Sequence, residues 1–132
     1  SLGESELNGQ VRGSFRTDKL DLALKIANRL NSVYPSFNSK VLLLTAKASI
    51  LFNTKMQGKS FWTITLTLKT ELIALIQEVS LLIDESSGKD SRLFNIAAPC
   101  IQFTLGYDKK LIELCWKYVD EIEKKKKNHH TL

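Results

Sequence analysis

The chain of 132 residues is nearly without histidine: His129 and His130, both in the polar tail, are the only two. Residues 1–128 therefore lack the commonest general base, and with it the Ser–His and Cys–His nucleophile pairs. Zinc sites and the Glu-x-x-His di-iron sites of helical bundles lose a usual ligand as well. Cysteine is as scarce. Cys100 and Cys115 match no metal-ligand spacing and sit among apolar residues. They are expected as buried, reduced thiols of an intracellular protein, cytoplasmic or nuclear. A glycine-rich phosphate loop is also missing: Gly58, Lys59 and Ser60 match the end of one, but Asn53 stands where its first glycine is needed. These absences point to a protein that is not an enzyme and binds no metal or cofactor.

Negative charge is missing from one long stretch. Residues 22–70 carry seven basic side chains (Lys25, Arg29, Lys40, Lys47, Lys55, Lys59 and Lys69) and no acidic one. Residues 71–123 reverse the balance, with ten acidic residues against five basic, before Lys124 to Lys127 close the chain's charge at +5. Charge of this kind bears on partners and association rather than on fold.

An uncharged hydrophobic run long enough to span a membrane is absent too. The longest apolar stretch, Phe61 to Ile83, is interrupted by Lys69, Glu71 and Glu78, which argues against a span. Its first part alternates: Trp62 to Leu68 sets threonines between large apolar residues, a strand-like pattern. Its second part is helical in period, with Leu72, Leu75, Ile76, Val79, Leu82 and Ile83 at three- and four-residue spacing. Phe61, Leu68, Leu75 and Leu82 are seven apart, so one helix over about 60–84 covers both parts and is expected at the centre of the fold.

The other elements follow from the same periodicity. Residues 1–16 are rich in glycine, serine and charge and are expected as a mobile arm or tag remnant. The only methionine is Met56, as expected of a piece of a longer protein. Thr17 or Asp18 is expected to cap a helix ending at Tyr34, before Pro35. Asn38 or Ser39 is expected to cap the next, over about 39–53. Gly88 suits the turn after the central helix, and Ser91 opens a helix to about Leu105 that Pro99 should kink or split at Ala98. A last amphipathic helix over 109–127 carries Leu111, Leu114, Cys115, Tyr118, Val119 and Ile122 on one side. Residues 128–132 are expected as a disordered tail. The fold class is all-α: an antiparallel helical bundle of about five helices in a single domain over 17–127.

Ala23 to Pro35 reads ALKIANRLNSVYP. It resembles the second helix of a tetratricopeptide (TPR) repeat, with Ala23, Ala27, Leu30 and Pro35 at the repeat's small, apolar and proline positions. The next repeat's first helix would then present Val41, Leu44, Thr45 and Ala48 in place of tryptophan, leucine, glycine and tyrosine. No 34-residue self-similarity runs through the chain. The resemblance covers about 30 residues and implies helical hairpins that hold a peptide or partner helix in a groove.

Two sets of side chains are candidates for binding. Lys25 and Arg29 lie one turn apart on one expected helix, and Lys40 and Lys47 two turns apart on the next. Merged into one positive face, they are the expected binding residues for an acidic protein or peptide, with nucleic acid, RNA in particular, as the alternative partner. The scaffold would serve within a longer protein or as a homo-oligomer. Glu71 and Glu78, seven apart, are the candidate pair for a bundle enzyme or ligand-binding protein, provided both are buried in a closed cavity. Trp62 and Trp116 are expected in the core, and otherwise at an interface.

Overall fold

The computed structural model describes residues 2–104 together with Lys109, Glu113 and Lys124. The fold is all-α, and no strand occurs among the described residues. The chain divides into two compact units, Ser1–Leu68 and Lys69–Leu132. Apart from Lys109, Glu113 and Lys124, the helix expected over 109–127, with Cys115 and Trp116, and the tail with His129 and His130 lie outside the described residues.

The first unit holds α1 (Glu4–Arg16), α2 (Leu20–Val33) and α3 (Phe37–Ile50), which continues into a π-helical turn over Leu51–Lys55. The expected N-terminal arm is thus a helix. Its glycines, serines and asparagine lower helix propensity, but Leu7 and Val11 share one stripe and are buried, and tertiary packing outweighs propensity in a helix this short. Leu7, Val11, Ala27, Leu30 and Leu42 form an apolar cluster, with Phe15, Ile26, Tyr34 and Leu43 packed around it. Two longer-range bonds tie α1 down: Asn38 Nδ2 donates to Asn8 Oδ1 at 3.1 Å, and Tyr34 Oη to the Leu2 carbonyl at 3.3 Å.

The links between these helices are short and specified. Thr17 ends α1 rather than starting α2, and Asp18 takes φ +56°, the left-handed turn between them. The cap of α3 is Ser36, earlier than expected. Ser36 Oγ accepts from the Ser39 N–H at 3.0 Å, and Ser39 Oγ from the Ser36 N–H at 2.8 Å. This reciprocal box satisfies two donors that the helix start leaves open. The buried Ser39 hydroxyl also reaches Asn31 Oδ1 at 2.9 Å, locking the α2–α3 corner.

The helix expected over 60–84 starts later, as α4 (Leu66–Glu85). The threonines explain the delay, because their hydroxyls bond locally instead of leaving the backbone to helix. Thr63 closes a turn with Ser60, and Thr65 Oγ1 caps α4 by accepting from the Leu68 N–H at 3.2 Å. From Leu72 onward the predicted stripe holds: Leu72, Leu75, Ile76, Val79, Leu82 and Ile83 are all buried. Ser87 and Gly88, at φ +52° and +67°, end the helix, with the Gly88 N–H returning to the Ile83 carbonyl at 3.0 Å.

The last described helix, α5 (Ser91–Phe103), is capped by Asp90 and buries Leu93, Ile96, Ala97 and Cys100. It runs unbroken through Pro99 instead of splitting at Ala98. Proline removes the bond to the carbonyl four residues back. That residue, Asn95, is exposed.

Candidate interaction surface

The four basic residues singled out in the sequence are all exposed. On α2, Ala23, Ala27 and Leu30 face the core. At 100° per residue, Lys25 and Arg29 fall on the opposite side of the same helix. Leu22 and Val33, exposed by 44% and 54%, flank them on that outward strip. It is a row of two cations between two apolar side chains.

On α3 the placement is sharper. Ser39, Val41, Leu42, Leu44, Ala46 and Ala48 are buried, and Lys40 and Lys47 are the only exposed residues of the helix. Everywhere else this helix is covered or half-covered. No carboxylate occurs on α3 or on α2 beyond Asp21 in its first turn. The first unit as a whole carries nine basic residues against four acidic, so the chain's net charge of +5 is that unit's own. The structure therefore presents Lys25 with Arg29, and Lys40 with Lys47, as two pairs on neighbouring helices of one unit.

Glu71 and Glu78 are placed differently from a cavity pair. Glu78 is exposed and Glu71 half-buried on α4. No group of three or more metal-ligating side chains occurs among the described residues. The one described titratable pair with a resolved perturbation lies at the start of α5. Asp90 Oδ2 accepts from Arg92 Nη2 at 2.7 Å, and its Oδ1 from the Arg92 backbone N–H at 3.1 Å. The hydrogen-bonded guanidinium holds the Asp90 carboxyl below the usual carboxylate range. This is a helix cap and not a catalytic arrangement.

Sequence reasoning missed several exposed apolar side chains. Trp62, expected in the core, is 71% exposed, and Leu66, Ile73 and Leu81 on α4 are exposed by 80%, 53% and 70%. The signal was the threonine spacing, which favours a turn at Trp62 as readily as a helix. No helix among the described residues is long and apolar enough to cross a membrane. No protein-family model, curated protein or solved structure matches this chain.

Proposed function

We propose that the chain is a non-enzymatic interaction module whose first unit holds an acidic protein or peptide against Lys25, Arg29, Lys40 and Lys47. The observation that carries this reading is the make-up of α3: its only two exposed positions are both lysine, on a unit with a surplus of five positive charges. Glutamate serves an exposed helix position as well as lysine does, so helix formation does not account for the bias. The TPR-like reading is supported by the full burial of Ala23 and Ala27 and by short-linked helices packed side by side. It departs from a repeat after Lys55, where a loop precedes α4.

The alternative of a bundle enzyme or ligand-binding protein acting through Glu71 and Glu78 lacks this kind of support, because Glu78 faces solvent. The test is the Lys25→Glu, Lys47→Glu double variant, with its binding to copurifying proteins and to RNA measured across salt. Exposed charges contribute little to stability, so the variant should fold normally. It should lose most of its affinity for acidic partners at low salt and show a flatter salt dependence. A salt slope approaching one log unit per contacted phosphate, seen only with RNA, makes nucleic acid the partner instead. Unchanged binding of every ligand removes this surface from the account.

A further inference from the structure

The loop between the π-helical turn and α4 is firmly built. Met56 and Ile64, near its two ends, are buried, with 2% and 6% exposure. Gly58 turns the backbone at φ +73°, where a side chain would be strained. Residues 60–63 then close a β-turn: the Thr63 N–H donates to the Ser60 carbonyl at 3.0 Å, and the Ser60 N–H to Thr63 Oγ1 at 3.0 Å. Phe61 and Trp62 are the two central residues of that turn, so it carries them at its tip. The Phe61 ring braces the indole edge to face, with centroids 5.3 Å apart. Leu66, at the first position of α4, is exposed by 80%, more than any other large apolar side chain described. Lys55, the last residue of the π-helical turn, and Lys59, on the loop itself, are both exposed.

We propose that this loop is an anchor for an anionic lipid surface, with Trp62 and Leu66 entering the headgroup boundary and Lys55 and Lys59 held at phosphate level. Indole rings concentrate at that boundary, and lysine stems reach back to the charge layer. Apolar burial and attraction to anionic lipid then add. A single-stranded nucleic acid would use the indole but give Leu66 no role. It would also want successive stacking rings, whereas Trp62 is the only exposed aromatic residue among those described. The residues used here differ from Lys25, Arg29, Lys40 and Lys47, so the two proposals are tested by different variants.

The test uses the full chain and phosphatidylcholine vesicles with and without phosphatidylserine, read by co-sedimentation. A Trp116→Phe variant, which leaves Trp62 as the sole indole, adds a fluorescence readout. Sedimentation of the unaltered chain stands by itself if that variant does not fold. Binding is expected to the phosphatidylserine vesicles, with a blue shift of the Trp62 emission. Lys55→Gln with Lys59→Gln should weaken it by roughly 25-fold, about fivefold for each lysine near the surface. Trp62→Ala and Leu66→Ala should each weaken it by about tenfold or more, with the circular dichroism unchanged. No binding to anionic vesicles overturns the proposal. Binding that Trp62→Ala and Leu66→Ala leave intact also overturns it, since the lysines then adsorb without insertion. So does a Trp62 shift produced by an oligonucleotide or by polyglutamate and not by vesicles.

Discussion

Replacing Leu7 by alanine tests whether the first helix belongs to the core. Leu7 is 2% exposed and belongs to the cluster of Val11, Ala27, Leu30 and Leu42. Truncation removes three carbons, worth ~0.8 kcal/mol each in transfer free energy. It also leaves a cavity that the surroundings fill only in part, because the Asn8–Asn38 and Tyr34–Leu2 bonds hold α1 in place. The sum is a loss of about 3 kcal/mol, inside the range of roughly 2–5 kcal/mol seen for buried leucines. In urea unfolding followed by far-ultraviolet circular dichroism, a slope of about 1–3 kcal/mol per molar makes this a midpoint drop of roughly 1–3 M. The exposed neighbour Glu6 supplies the control, since Glu6→Ala should stay within ~0.5 kcal/mol of the parent. A Leu7→Ala protein as stable as that control would mean that residues 4–16 are the arm their composition suggests.

Three further outcomes follow from local geometry. Ser36→Ala opens the capping box of α3 and should cost about 1 kcal/mol in the same unfolding assay, with Ser36→Asp restoring most of it. Asp90→Ala removes the α5 cap and its guanidinium partner and should also cost about 1 kcal/mol at neutral pH. Because the folded Asp90 carboxyl titrates below its unfolded value, that stabilisation is complete above the ordinary carboxylate pKa. It fades as pH falls through the lowered one, so parent and variant converge in acid. Ser87→Gly relieves a left-handed backbone at φ +52° and should raise the melting temperature slightly; a fall would show that the Ser87 side chain matters more than its φ.

The sequence made the helical class plain because the stripes of α2, α4 and α5 are broad enough to survive one or two misplaced residues. Leu72 to Ile83 read correctly because six apolar side chains recur at helical spacing with polar residues between them. The start of α4 did not, since threonine hydroxyls at 63 and 65 can serve a turn and a cap as well as a helix, and periodicity cannot weigh those bonds. The first helix was hidden by three glycines, Gly3, Gly9 and Gly13; its stripe of Leu7, Val11 and Phe15 is short and acquires meaning only against α2. Pro99 does not split α5, although it removes one of the helix's hydrogen bonds. For the candidate surface, charge bias alone picked out Lys25, Arg29, Lys40 and Lys47. What no linear reading contained is that Lys40 and Lys47 are the sole exposed positions of α3.

The most direct test of the basic surface is a titration of the isotopically labelled protein with polyglutamate, followed residue by residue through its backbone amide resonances. The account predicts that Lys25, Arg29, Lys40, Lys47 and their immediate neighbours shift first and furthest, and that added salt reverses the shifts. Shifts confined to α4 and α5, or none at these four positions, would contradict it.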